Sequence, residues 1–276
     1  MIRSSVTISL VPEARGGPFI FWDDLAGACK KAKDLGFDGV EIFPPAADAL
    51  DVGHVGKVLG DHGLVLAALG TGAGWVKQRL HLCLPDATAR ERARSFVRSI
   101  IDVAGALHAP AIIGSMQGRS GDGVDQATAT AYLSEALEDL GAHARQYRVP
   151  LLFEPLNRYE TNLVNTVAGG LRLLQGLATD NVMLLTDFFH MNIEEADMPA
   201  SLRLGAGRIG HVHFVDSNRR PAGLGHLHIH ELAKVLDDIS YYGFASAEAL
   251  PYPDSEAAAR QTIQTFRKYF RSPGGM

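Results

Sequence analysis

Eight short apolar runs alternate with stretches of helical periodicity along the whole chain, and this alternation leaves few folds open. The runs are SVTISL (5–10), GVEIF (39–43), LVLAALG (64–70), AIIGSM (111–116), PLLFEPL (150–156), VMLLTD (182–187), IGHVHFVD (209–216) and FASAEAL (244–250). Most are continuously apolar, as in strands of a parallel sheet covered on both faces. Between them, WDDLAGACKKAKDLGF repeats apolar residues at helical spacing and stops at Gly36. DATARERARSFVRSIIDVAGALH opens on Asp86, a good helix N-cap, and DQATATAYLSEALEDLGAHARQY and DSEAAARQTIQTFRKYF behave likewise. Eight strands and eight helices in strict alternation predict an α/β chain folded as a single (β/α)8 TIM barrel over residues 1–276, with 272–276 a frayed tail. An open doubly wound sheet is the alternative. It is weakened because LVPEARGG, after the first run, has no G-x-G-x-x-G.

The chain has 276 residues, 46% of them hydrophobic, which is ample for one large core. A net charge of −5 and a pI near 6.1 argue against a nucleic-acid partner. Cys29 and Cys83 lack metal spacing and are too few for a disulfide framework, so both read as buried thiols of a reducing compartment. The start MIRSSVTISL has no signal-peptide core, and no 18-residue apolar stretch exists, so a cytoplasmic chain without a membrane partner is expected.

In a barrel of this kind the carboxyl ends of the strands build the active site. Four of those ends carry metal-ligand side chains: Glu154, Asp187, His213 and Glu248, spaced 33, 26 and 35 residues apart. A carboxylate at the end of a buried strand needs a partner. For Glu154 an Arg would serve, but four ligand-type residues on four successive strands point instead to one divalent cation. The oxygen-rich set suits Mn²⁺ or Mg²⁺, and the single imidazole leans it to Mn²⁺, with Mg²⁺, Co²⁺ and Zn²⁺ as alternatives. Such a site can hold a hydroxy-ketone through its carbonyl and a neighbouring hydroxyl, with one Glu removing the proton beside the carbonyl and the other returning it on the opposite face.

Around this tetrad, Glu160 and His190 are placed to reach a bound polar ligand, and Arg219 to hold substrate oxygens, with a solvated loop charge as its alternative. Glu194 and Glu195 are expected to open a short helix. His211 alternates with His213 and reads as a core histidine one layer deeper, with Glu41 as a group supporting the site from behind. In HLHIH (226–230), His228 and His230 read as helix-start residues and His226 as a loop residue that could reach the pocket. His108 reads as structural, at the amino end of the barrel. Three long loops supply candidate walls: Phe19, Phe21 and Trp22; Trp75, Lys77 and Arg79; Gln117 and Arg119. A substrate phosphate would meet Arg79 or Arg119.

The segments E-P-L-N-R-Y-E-T (154–161), D-x-F-H-M-N-I-E-E (187–195), H-V-H-F-x-D-S-N-R (211–219) and S-A-E-A-L (246–250) give the chain its resemblance to the xylose-isomerase-like TIM barrels, within them the sugar isomerase/epimerase group that includes ketose 3-epimerases. That resemblance covers essentially the whole chain. It implies Glu154, Asp187, His213 and Glu248 as metal ligands and Glu154 and Glu248 as the acid/base pair. It also implies Glu160, His190 and Arg219 as sugar-binding residues and a homodimer or homotetramer. The substrate would be a small sugar or sugar phosphate. Alternatives on the same scaffold are an aldose-ketose or inosose-type isomerase, a dehydratase, a sugar-binding subunit of a heteromeric enzyme, and a DNA-repair endonuclease.

Overall fold

The computed structural model describes residues 1–271; the expected frayed tail, 272–276, lies outside the described residues. Eight parallel strands form the barrel: β1 Arg3–Ser9, β2 Gly39–Phe43, β3 Val65–Gly70, β4 Ala111–Ile113, β5 Leu151–Phe153, β6 Val182–Asp187, β7 Ile209–His213 and β8 Phe244–Ala247. Each pairs with the next, and β8 returns to β1 through Arg3 opposite Phe244 and Val6 opposite Ala247, which closes the sheet. A two-residue strand, Phe21–Trp22, adds to the end of β1 and ties down the loop that follows it.

The eight expected strands are all present, but several stop earlier than their apolar runs. AIIGSM pairs only over Ala111–Ile113 before a 3-10 turn at Ser115–Gln117, and PLLFEPL only over Leu151–Phe153. The strict one-helix alternation is also corrected. The connection after β6 holds two helices, Phe188–Glu194 and Met198–Leu204, and the connection after β3 holds Ala73–Gln78 ahead of Ala87–Ala106.

Aspartates start most of the helices. Asp24, Asp51, Asp86, Asp125, Asp197 and Asp254 each accept a backbone N–H three residues on. This satisfies one of the donors that a helix start leaves orphaned. Helix Leu25–Leu35 ends at Gly36, whose φ of 86° is the left-handed turn a glycine adopts without steric cost. No helix among the described residues is long and apolar enough to cross a membrane.

Successive strand residues face opposite sides of the sheet. Val6, Ile8, Val40, Ile42, Leu151, Phe153 and Leu184 point outward into the large core under the helices. Ala68, Ile112, Leu152 and Leu185 form a separate small cluster inside the barrel. Glu154 lies two residues beyond Leu152 and Asp187 two beyond Leu185, so both continue the inward-facing series. His213 follows His211, and Glu248 follows Ser246, in the same way. The alternation that buries the barrel interior therefore delivers all four side chains to one end of it.

Both cysteines are buried and unpaired, as expected. Burial pushes the Cys29 thiol up to about 11, with Asp24 adding to the effect, and Cys83 up to about 12. At pH 8 the folded protein should therefore resist thiol alkylation, and both cysteines should label on denaturation; rapid labelling of the native protein would contradict this packing. Asp86→Ala should cost about 1 kcal/mol in chemical denaturation, the usual worth of an N-cap side chain.

Candidate metal centre and its cavity

Helix Phe188–Glu194 begins immediately after β6, and this junction orients Asp187. One carboxylate oxygen, Oδ1, accepts the backbone N–H groups of Phe189 (2.7 Å) and His190 (3.1 Å). The other, Oδ2, is left facing the barrel axis, 3.2 Å from His213 Nδ1. Glu154 extends β5, its N–H bonded to the Ile113 carbonyl. Beside it Gly114 leaves room: a Cβ there would sit 2.5 Å from Glu154 Oε2. Glu154 Oε1 lies 3.3 Å and Glu248 Oε2 3.4 Å from the same His213 Nδ1.

One ligand atom from each of Glu154, Asp187, His213 and Glu248 lies within 4.8 Å of all the others. Glu154, Asp187 and His213 are buried and Glu248 nearly so. Glu154 Oε1 has no hydrogen-bond partner, a costly condition for a buried carboxylate oxygen. Three carboxylates and one imidazole converging on an orphaned oxygen fit a hard or borderline divalent cation. The tetrad expected from the sequence is thus brought together as a unit.

Electrostatics separates its members. Burial raises the Glu248 carboxyl to about 8, with Glu154 and Asp187 adding to the rise and His213 and Arg219 opposing it. Burial likewise raises Glu154. Asp187 is held below the usual carboxylate range; burial works against its charge, but Arg219, His190 and His213 outweigh it. Burial also opposes a charge on His213, yet the surrounding Glu248, Glu41, Asp187 and Glu154 hold its imidazole well above the ordinary value.

Arg219 is a residue of the cluster, not a solvated loop charge. Its guanidinium bonds Glu248 Oε2, lies 3.4 Å from Asp187 Oδ2 and stacks over the Phe189 ring at 4.7 Å. Its backbone φ of 58° is an uncommon left-handed conformation for a side chain of this size. His190 Nδ1 accepts the Asn157 backbone N–H at 3.2 Å, which fixes the ring between Asn157 and the guanidinium of Arg219. Nε2 lies 3.1 Å from Arg219 Nη1 and 3.8 Å from Glu154 Oε1. Burial holds His190 down at about 3, with Arg219 and His213 contributing. Glu160 is half exposed at the rim and accepts from Asn157 Nδ2 at 2.9 Å.

The cluster opens into a cavity of about 520 Å³ bordered by Glu154, Glu160, His190, Arg219 and Glu248. Of the expected wall residues, Phe19, Trp75 and Arg119 border it. Phe21 is instead buried in the core, and Trp22 packs edge-on against Phe19. Gln117 is buried and braces the Glu154 carbonyl from its side-chain amide. Lys77 sits 3.8 Å from Glu13, and Arg79 stacks over Trp75. Phe43, His81 and Tyr159 border the cavity without having been singled out. Tyr159 lay within the E-P-L-N-R-Y-E-T segment, as did the bracing Asn157; Phe43 had no signal beyond ending a strand, and His81 none beyond its place in the loop after one.

Glu194 and Glu195 do not open a helix. Because Asp187 caps the helix at once, Glu194 ends it and pairs with Arg158, while Glu195 accepts from the Val167 N–H and the Ser201 hydroxyl. His226 bonds Ser217 on the exposed loop, away from the cavity lining. His228 occupies the N-cap position of the helix Ile229–Asp238, without a side-chain capping bond, and His230 lies in its first turn, as expected of helix-start residues. His108 borders a second hollow formed by residues at the amino ends of the strands.

Residues 29–269 match the family model described as xylose isomerase-like TIM barrel. The D-psicose 3-epimerase of Agrobacterium fabrum is 32% identical over 92% of this chain and 85% of its own. The L-ribulose 3-epimerase of Mesorhizobium japonicum is 29% identical over 80% of this chain and 73% of its own. The crystal structure of a Methylomonas D-allulose 3-epimerase in complex with D-allulose superposes with a TM-score of 0.83 at 22% identity, covering 98% of this chain and 97% of that one. The chain belongs to the xylose isomerase-like TIM barrel family.

Proposed function

We propose that the protein is a divalent-cation-dependent epimerase of a ketose or related hydroxy-ketone sugar, in which Glu154 and Glu248 move the proton. The observation that carries this reading is that two largely buried carboxyls border one cavity and approach one imidazole nitrogen, at 3.3 and 3.4 Å. Inversion of a carbon beside a carbonyl requires removal of a proton on one face and delivery on the other. Two carboxyls from strands β5 and β8 are suited to that task. The relatives named as D-psicose and L-ribulose 3-epimerases support the substrate class and the reaction.

In the cation-free site burial disfavours the charged form of Glu154 and Glu248, and a bound cation would oppose this by favouring their carboxylates. A divalent cation held by Glu154, Asp187, His213 and Glu248 would supply Lewis-acid charge beside the substrate carbonyl. Mn²⁺ is the preferred ion on the balance of three oxygen donors and one nitrogen. Arg219 presents a guanidinium already neutralised by Glu248 and Asp187, and its remaining donors are available to substrate oxygens. His190, neutral and fixed between Asn157 and Arg219, turns its Nε2 edge to the same region. Glu160 stands at the rim, where it can accept from a hydroxyl farther along the sugar. Phe19, Phe43 and Trp75 form an apolar wall that limits water around the reacting carbon.

Replacing either carboxyl by its amide, E154Q or E248Q, should slow epimerisation by about 10²–10⁴-fold, the usual worth of a positioned acid or base. The measurement is turnover of a ketose panel in deuterated water, with deuterium read at each carbon. Wild-type rates in either variant would remove that residue from the chemistry. The same assay separates neighbouring reactions, because an aldose product would make the protein an isomerase and loss of a hydroxyl would make it a dehydratase. Exhaustive chelation should abolish turnover and added Mn²⁺ should restore it; full activity in metal-free protein would defeat the cation-dependent reading.

A further inference from the structure

Below the tetrad lies a second buried polar group that the chemistry above leaves unexplained. Glu41, in the middle of β2, points into the barrel and is 4% exposed. Its two oxygens face two imidazoles: Oε2 lies 2.9 Å from His211 Nε2, and Oε1 lies 3.3 Å from His213 Nε2. Both histidines come from β7, two residues apart, and their rings stand nearly perpendicular, with centroids 5.6 Å apart. A buried glutamate with two histidines is expensive to desolvate, and apolar residues would fill the same space at less cost.

We infer that Glu41 is a positioning residue that holds the proton of His213 on Nε2, so that the Nδ1 lone pair faces Glu154, Asp187 and Glu248. An ionised carboxylate only accepts, so an imidazole nitrogen in contact with it donates. A cation in the tetrad would take the place of a proton on Nδ1, leaving a neutral imidazole whose one ring proton Glu41 holds on Nε2. Nδ1 is the nitrogen that stands 3.2–3.4 Å from the three carboxylates of the tetrad. His211 occupies the other oxygen of Glu41 and fixes the rotation of that carboxylate. The pairing of an imidazole ligand with a carboxylate behind it orients the ring and increases its basicity toward a cation. This inference rests on the reading of the tetrad as a cation site, and it is independent of which sugar is turned over.

The test is Mn²⁺ affinity by calorimetry in wild type, E41Q and H211Q, with the unloaded fold checked by circular dichroism. E41Q keeps the shape of Glu41 but loses its charge and one acceptor. It should weaken Mn²⁺ binding by about 10–100-fold, the range found when such a supporting partner is removed. H211Q retains the Glu41–His213 contact and should weaken binding less. Excess Mn²⁺ should return E41Q turnover toward wild type, which a general loss of packing would not allow. In wild type loaded with diamagnetic Mg²⁺, nitrogen NMR should show His213 coordinated through Nδ1, with an exchange-protected proton on Nε2. Coordination through Nε2 overturns the assignment even if E41Q does not fold. So does an E41Q affinity within about twofold of wild type. Binding of two Mn²⁺ per chain, with one lost in E41Q, would make Glu41 and His211 ligands of a second ion and overturn it as well. If wild type binds no divalent cation, the tetrad reading falls and this inference with it; if it binds Mn²⁺ but epimerises no ketose, only the catalytic reading falls.

Discussion

Three carboxylates crowded round one imidazole nitrogen are the constraint on which the rest of the site depends. Two unit charges 4 Å apart repel by about 4 kcal/mol at an effective dielectric near 20, so three such groups cannot stay charged without positive partners. The chain supplies a different partner to each. Asp187 spends one oxygen on two backbone N–H groups and sits beside Arg219, which keeps it ionised. Glu248 has the guanidinium but is raised by burial and by its two neighbours. Glu154 has an oxygen that approaches His213 Nδ1 at 3.3 Å without a hydrogen bond of good geometry. These unequal environments, more than the residue types, set the three apart: Asp187 is held ionised, while burial raises Glu154 and Glu248.

Much of this arrangement was legible in the sequence because it rests on a period of two. Once Leu152, Leu185, His211 and Ser246 face the barrel interior, Glu154, Asp187, His213 and Glu248 must face it too, one layer nearer the carboxyl ends. The apolar runs revealed the strands, and the aspartates before the helical stretches marked where most helices begin. What the pattern misjudged was local. Glu194 and Glu195 looked like first-turn acids, but Asp187 had already started the helix, so they close it. The runs AIIGSM and PLLFEPL are apolar past their last ladder bonds because the strand ends stay buried under loops, where hydrophobicity no longer signals pairing.

Other features were legible only in part. The contact between Glu41 and His213 joins residues 172 apart across the barrel interior. It depends on shear and side-chain length that a single sequence does not encode visibly. The left-handed turn at Arg219, which swings its guanidinium back over Phe189 and onto Glu248, is likewise set by the closing loop: the Leu250 N–H bonds the Arg219 carbonyl, and the Asp216 carbonyl accepts the Arg219 N–H. Arg219 could be read as a substrate-binding residue from its type and place, but its role in offsetting two carboxylates is a property of the folded loop alone.

The floor and the rim of the cavity answer to different parts of the fold. The tetrad sits at or next to strand ends, held by the ladder and by helix starts, so its atoms have little freedom to adjust to different sugars. The rim comes from loops: Arg119 and Tyr159 are exposed, and Phe19 and Trp75 are carried by two further connections. Loops tolerate change that strand ends do not. A sugar bound with its carbonyl over the tetrad would therefore meet fixed groups at the reacting carbon and adaptable ones beyond it. On this division the reaction is a property of the barrel, and the identity of the sugar a property of the loops.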